Sequence, residues 1–201
     1  MDSNPINIKQ QEAHDLPAIC RLIEEAFASV QESDHREQFL VERLLSSPGF
    51  VPELSLTAWI KNELVGYILL TEIEILSKSG PVPSLSLAPL AVRPSFQRHG
   101  IGAALIEEAH KRAAELNYET VLVLGHKDYY PRFGYKKGRG FRHYFSFRGS
   151  AGVLYGERVD ARRSFSSRRS GKYPKAFSNT KQFPCLNEPS RLTTASQPLC
   201  V

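Results

Sequence analysis

Between residues 84 and 125 the sequence lays a strand, a glycine-bearing turn, a long helix and a second strand end to end. "SLSLAPLAV" is the first strand, and Pro89 near its end works against regular pairing there because proline has no N–H for a ladder. The turn is "QRHGIG", Gln97 to Gly102, and the helix runs from about Gly100 to Leu116. "YETVLVLG" follows, β-branched and apolar like a strand buried on both faces. That order makes one crossover, the connection that parallel strands need.

The chain before it is of another kind. "INIKQQ" alternates and can open a sheet. "EAHDLPAICRLIEEAFASV" puts Leu16, Ile19, Leu22, Ile23 and Phe27 at helical spacing, with Asp15 as a candidate cap. "SDHREQFLVERLLSS" repeats the pattern, with Ser33 or Asp34 as cap and Phe39, Leu40, Leu44 and Leu45 as its apolar side. "PGFVPE" reads as a break, and "LSLTAWI" and "ELVGYILLTEIEIL" as strands of a hairpin turning at "KNE". "HKDYYPRFGY" reads as a short helix or turn. The order is strand, two helices, three strands, helix, strand, short helix: an α/β fold, mainly antiparallel first, with one crossover later.

At 201 residues the chain suits one domain, with room for a tail, and 41% hydrophobic with 23% charged residues is ordinary for a soluble globular protein. No apolar run approaches the roughly 18 residues of a membrane span, so no membrane partner is expected. The first residues, "MDSNPINIKQQEAHD", have neither the basic start nor the apolar middle of a signal peptide. Cys20, Cys185 and Cys200 have no metal or disulfide spacing. These features point to a reducing cytoplasm and no metal.

Charge divides the chain. Residues 1–138 hold 14 Lys/Arg against 18 Asp/Glu, a net −4, while residues 139–201 hold 12 against 3, a net +9. After Lys137 no period of 2 or 3.6 is sustained, and residues 178–201 are Ser/Thr/Pro-rich, which reads as a disordered tail.

A glycine turn at a helix start can hold an anion. The first N–H groups of a helix have no intrahelical partner and carry a positive partial charge, and glycine lets a ligand come close. A phosphate or pyrophosphate is the natural guest, and Arg98 and His99 can add charge. Neither the P-loop pattern nor GxGxxG is present. On spacing alone, a helix start with glycine for tight packing fits as well.

"LAPLAVRPSFQRHGIGAALI" resembles the acyl-CoA-binding motif of the GNAT superfamily of N-acyltransferases, with Gln97, Gly100 and Gly102 at its [Q/R]-x-x-G-x-[G/A] positions. The resemblance runs from about Ile6 to Tyr135 and closes on "YYPRFGY", similar to the family's Tyr-x-x-x-Gly-Phe/Tyr element. "SDHREQFLVERL" and "LGHKDYYPRFGY" look most like a bacterial subgroup of that family. The resemblance implies the GNAT fold, a mixed and mostly antiparallel sheet flanked by helices. It implies acetyl-CoA as co-substrate and direct attack of an amine on the thioester. By match, Leu90, Ala91 and Val92 would pair with the pantetheine arm, and Gln97, Arg98, His99, Gly100, Ile101 and Gly102 would hold the pyrophosphate. Backbone N–H groups near Val92 would polarise the carbonyl. Tyr130, four residues before Gly134, matches the tyrosine that protonates the leaving thiolate, with Tyr129 the weaker match.

No base is marked. Glu72 and Glu74 share a strand face that could equally be solvated, and His126 ends the strand after the motif helix, where it could relay protons or simply hydrogen-bond. Glu37, on the second helix, matches the side on which the family lines its acceptor site. Cys20 falls among apolar positions and reads as core.

The boundaries expected are therefore 1–138 for a GNAT acetyltransferase domain, 139–177 for an aberrant end of it, and 178–201 for the tail. Back-translating residues 139–165 with permitted codons and shifting one base allows "GDFGITFPFEVPRECFMVKELTPGAL", which resembles the family's missing last strands. "KYPKAF" then resembles the family ending in the given frame, so residues 139–171 are expected to be a frame-shifted stretch. The function expected is an acetyl-CoA-dependent N-acetyltransferase acting on a small-molecule or protein amine, with a homodimer left open. The rivals are an acyl-CoA-binding protein with impaired catalysis and a nucleic-acid binder working through the basic tail. The tail has no recognisable binding motif, so nucleic acid is not the expected partner.

Overall fold

The computed structural model describes residues 5–31, 33, 35–77, 80–125, 128–137 and 153–158. Seven strands form one sheet in the order β1-β2-β3-β4-β5-β7-β6. They are β1 (Asn7–Gln10), β2 (Phe50–Ile60), β3 (Glu63–Ser77), β4 (Gly80–Val92), β5 (Thr120–Gly125), β6 (Lys136–Lys137) and β7 (Val153–Arg158). Three helices flank it: α1 (Leu16–Phe27), α2 (Glu37–Leu45) and α3 (Ile101–Glu115). Every pair of neighbouring strands is antiparallel except β4 with β5. The α/β fold and the crossover from β4 through α3 to β5 stand as read, and β5 to β6 makes a second crossover past the place of β7.

The sheet is covered on both sides. α3 places Ile101, Leu105, Ile106, Ala109 and Ala113 against Val65, Ile68 and Leu70 of β3 and their neighbours. On the other side α1 and α2 bury Ile19, Leu22, Ile23, Phe27 and Val41 against Leu64, Tyr67 and Leu69. That is why "ELVGYILL" is almost unbroken apolar sequence: alternate residues face different helices, and neither face meets water. Cys20 is 2% exposed in the second cluster, as its apolar neighbours indicated. One buried polar group here is paired: the Tyr67 hydroxyl donates to Gln11 Oε1 at 3.0 Å and lies 2.9 Å from Ser55 Oγ.

Three local readings change. "PGFVPE" does not break the chain, because β2 already begins at Phe50, opposite Thr71. The register slips between Phe50 and Ser55, and β1 reaches only Leu56 to Trp59, so Pro52 lies where β2 has no neighbour on that side. Asp15 does not cap α1 with its side chain; Oδ2 accepts the Glu12 N–H at 2.9 Å and closes the turn before the helix. Third, the sheet does not stop at β5: β7 pairs with it from Thr120↔Arg158 to Gly125↔Val153. Such an edge carries a row of free N–H and C=O groups, which a short strand can pair with, whatever its side-chain periodicity. The remaining expectations for residues 139–201, the frame shift and the tail, fall outside the described residues.

Candidate active site

β4 pairs with β5 only from Leu85 to Leu87, against Val121 to Val123. On its other side β4 stays paired with β3 as far as Val92, opposite Gly66. Past Leu87 the edge of β4 that faced β5 therefore has no strand on it, and Pro89, with no N–H, stands at the parting. A cleft of about 450 Å³ lies at this end of the sheet, walled by Leu90, Ala91 and Val92.

The next wall is the glycine turn. Gln97 turns its side chain back, Nε2 donating to the Val92 carbonyl at 3.1 Å. Arg98 and Gly100 both take left-handed backbone, φ 64° and 83°, which glycine adopts without strain and arginine does not. The first intrahelical bond of α3 runs from the Ala104 N–H to the Gly100 carbonyl at 3.0 Å. The N–H groups of Ile101, Gly102 and Ala103 thus precede the helical ladder, and all three residues line the cleft. A fifteen-residue helix adds its positive dipole end at the same place. Arg98 lines the cleft too. The His99 side chain does not: it is exposed, with Nδ1 2.7 Å from the Gln97 carbonyl.

Just beyond Val92, Arg93 donates its N–H to the Val65 carbonyl at 2.9 Å. Its guanidinium meets Glu25 of α1 at 3.2 Å and Glu63 of β3, tying the start of the turn to both neighbours.

The third wall is the 3₁₀ turn Tyr130–Phe133 and the residue before it. Tyr129, Arg132 and Phe133 reach the cleft. The Tyr129 hydroxyl sits against Gly102, 2.5 Å from where a Cβ on that glycine would lie. Burial raises the Tyr129 pKa above the usual phenol value, partly opposed by the Arg132 guanidinium, which lies 5.9 Å from its ring.

Tyr130 sits deeper. It is fully buried, its ring filling the space where Gly125 has no Cβ and standing edge-on to Tyr129 and Tyr135 at 5.3 and 5.4 Å. It lines no part of the cleft. Of the two tyrosines, Tyr129 presents its side chain to the site.

The other candidates separate. Glu72 is exposed, and its carboxylate accepts the Tyr118 hydroxyl. It pairs with Leu85, seven residues before Val92; at about 3.3 Å per residue that is roughly 23 Å from the cleft end of β4. Glu72 therefore does not join the site as a base. His126 lies outside the described residues. Glu37 is 3% exposed at the start of α2, with Oε1 accepting the Ser33 hydroxyl and Oε2 buried without a hydrogen-bond partner among the described residues. It lines a smaller pocket beside the cleft, and Phe27 lines both spaces.

Ala26, Phe27, Phe96, Arg132 and Phe133 complete the cleft and were not among the expected site residues. Phe27 was visible as an apolar helix position, but helical spacing does not show that one side of it opens on a cleft. Among the described residues, no group of three or more His, Cys, Asp or Glu side chains is placed to hold a metal ion. No helix among them is long and apolar enough to cross a membrane.

The model of the acetyltransferase (GNAT) family matches residues 16–135. Over 119 residues the chain is 36% identical to the uncharacterized N-acetyltransferase YjhQ of Escherichia coli (strain K12), a match covering 59% of this chain and 63% of that relative. The match thus spans less than two thirds of the relative's own length. A GNAT family acetyltransferase from Brucella melitensis, solved in complex with acetyl-CoA, superposes with a TM-score of 0.61 at 27% identity, covering 66% of this chain and 84% of that one. The E. coli GNAT family N-acetyltransferase YhbS, solved with CoA, superposes with a TM-score of 0.67 over 81% of this chain and 87% of its own. At 23% identity that likeness speaks for the fold alone.

Proposed function

The chain belongs to the acetyltransferase (GNAT) family, and on that premise we propose that it transfers an acetyl group from acetyl-CoA to a primary amine. One observation carries the reading: the strand edge that β4 leaves unpaired and the amino end of α3 face the same cleft. An extended pantetheine arm needs a strand edge to pair with, and a pyrophosphate needs converging N–H groups. Both stand in sequence order here, Leu90 to Val92 and then Arg98 to Ala103, and a side chain at Gly102 would fill the cradle. The Brucella relative, solved with acetyl-CoA, supports the choice of thioester.

In this reading the backbone of Leu90, Ala91 and Val92 holds the arm. The amides from Arg98 to Gly102, with the Arg98 guanidinium, take the phosphates. The acceptor's amine must be neutral to attack. Its nitrogen bonds to the acetyl carbonyl carbon, the carbon–sulfur bond breaks, and the amine loses a proton while the thiolate gains one. N–H groups near Val92 stabilise the oxyanion in this reading. Tyr129 donates the proton to sulfur: its hydroxyl is on the cleft wall, and burial keeps the phenol protonated at neutral pH. The acceptor approaches from α1 and α2, on the side of Phe27 and Glu37.

Calorimetry of acetyl-CoA against the purified chain and a Gly100→Glu variant tests the binding half. The variant puts a carboxylate beside the phosphate position, where a Cβ meets nothing within 4 Å. Micromolar binding lost in the variant supports the reading, and no binding by the folded chain ends it. Release of the CoA thiol on adding primary amines tests the chemical half. Tight binding with no release from any amine would instead describe an acyl-CoA-binding protein.

A further inference from the structure

The smaller pocket beside the cleft has a volume of about 280 Å³ and is lined by Glu24, Phe27 and Ala28 from the end of α1 and by His35, Glu37 and Gln38 from the start of α2. Its chemistry is one-sided. Glu37 is 3% exposed; Oε1 is engaged by the Ser33 hydroxyl, while Oε2 is buried with no hydrogen-bond partner among the described residues. Glu24 adds a second carboxylate from the exposed face of α1. His35 is held with φ 58°, its N–H donating to Ser33 Oγ at 2.8 Å and its Nδ1 3.1 Å from the Phe27 carbonyl. A carbonyl only accepts, so Nδ1 carries the hydrogen. None of the described lining residues is a lysine or arginine. A buried carboxylate oxygen without a partner is costly, and a bound cation with N–H donors removes that cost.

We infer that this pocket holds an ammonium group of the acceptor, and that it is not the ammonium that reacts. This rests on the acetyltransferase reading above. Two carboxylates close to an amine hold it in the charged form, whereas the attacking nitrogen must be neutral. Phe27 walls both spaces, so one molecule can lie across it, with its reacting amine at the thioester end and a second cation between Glu24 and Glu37. The acceptor class is therefore a diamine or another primary amine with a second, distal cationic centre.

The test compares α,ω-diaminoalkanes of graded length with n-alkylamines of matching length, measuring kcat/KM for acetyl transfer and calorimetric binding to the CoA-loaded chain. It uses the native chain, Glu37→Gln and Glu24→Gln. Glutamine keeps the oxygen that the Ser33 hydroxyl needs, and Glu24 is exposed, so loss of fold in one variant leaves the other informative. A diamine of suitable length should exceed its monoamine by about tenfold or more, the equivalent of one charge-assisted hydrogen bond, with that preference shrinking in each variant. Equal turnover of diamines and monoamines, or equal losses for both in the variants, overturns the inference and leaves the acetyltransferase reading standing. Diamine binding lost in Glu37→Gln, with no transfer to any amine, keeps the pocket and removes the acetyltransferase reading. Neither diamine binding nor transfer removes both.

Discussion

The Tyr129 hydroxyl occupies the place that a side chain on Gly102 would need, 2.5 Å from the Cβ position and with Val92 Cγ2 3.6 Å away on the strand side. One contact thus joins the three walls of the cleft. Gly102→Ala should push the phenol away, and its ring has little freedom because Phe133 and Tyr130 pack on it at 5.2 and 5.3 Å. Overpacking of this kind costs about 1–3 kcal/mol. The expected outcome is an acetyl-CoA affinity weaker by about tenfold, read by calorimetry. The double variant Gly102→Ala/Tyr129→Phe should bind better than Gly102→Ala alone, because the atom in the way is gone. Independent losses in a double-mutant cycle would show that the contact does not control binding.

The two adjacent tyrosines give opposite expectations. Tyr129→Phe removes the proposed proton donor and should lower kcat by about a hundredfold, the lower range for a positioned acid, while acetyl-CoA affinity changes little. Tyr130→Phe should leave kcat within a few-fold, since its ring is core. In the native chain the rate of the proposed transfer should still be rising or level near pH 10, because burial moves the Tyr129 phenol above its ordinary range and delays its loss of the proton. A large kcat loss in Tyr130→Phe, with Tyr129→Phe near normal, would return the acid role to Tyr130.

The helices and strands were legible because their signals are local: Leu16, Ile19, Ile23 and Phe27 repeat with the helix, and "TVLVLG" carries strand residues. The glycine turn was legible for the same reason, since Gly100 and the start of α3 adjoin in the chain. What escaped depends on placement between distant elements. Alternation puts Glu72 and Glu74 on one face, but only the register Glu72↔Leu85 shows that Glu72 is far from Val92. Spacing to Gly134 favours Tyr130, but the direction of the 3₁₀ turn, with Gly125 making room beneath it, decides which tyrosine faces the cleft. The end of α1 carries Phe27 and Glu24 on apparently ordinary core and surface positions, and the pocket exists only once α2 is packed beside them.

His110 provides a pH test of the fold apart from the chemistry. It lies on α3 with Nε2 2.7 Å from the Tyr135 hydroxyl, and burial lowers its pKa from 6.5 to about 4. The folded state therefore disfavours the imidazolium relative to the unfolded chain. Its stability is fully present above pH 6.5 and falls as pH drops toward 4, because the unfolded chain takes up a proton that the fold refuses. The loss should reach roughly 2–3 kcal/mol at most. Thermal melts from pH 7.5 to 4 should show it, and His110→Gln should flatten that part of the curve. An unchanged slope in the variant would assign the acid sensitivity to other groups.

β7 decides whether the sheet survives its unusual ending. Its six residues pair with all of β5, the strand whose other edge is engaged by β4 only from Leu85 to Leu87. A chain ending at residue 138 should therefore lose several ladder hydrogen bonds at about 0.5–1.5 kcal/mol each, a sizeable part of a typical total of about 5–15 kcal/mol. It should also bare "TVLVLG" as an apolar edge open to pairing with other chains. Size-exclusion chromatography and thermal melts should show association and a large fall in Tm, and a monomeric truncation with the native Tm would show that β7 contributes nothing. A second swap separates strand pairing from side-chain fit. Replacing residues 139–165 with "GDFGITFPFEVPRECFMVKELTPGAL" keeps a strand-forming stretch beside β5 and restores apolar residues at alternate positions. If those residues stand one base out of frame, the swap should raise Tm above that of the native chain. A lower Tm would mean that "VLYGER" is the strand this sheet has adapted to.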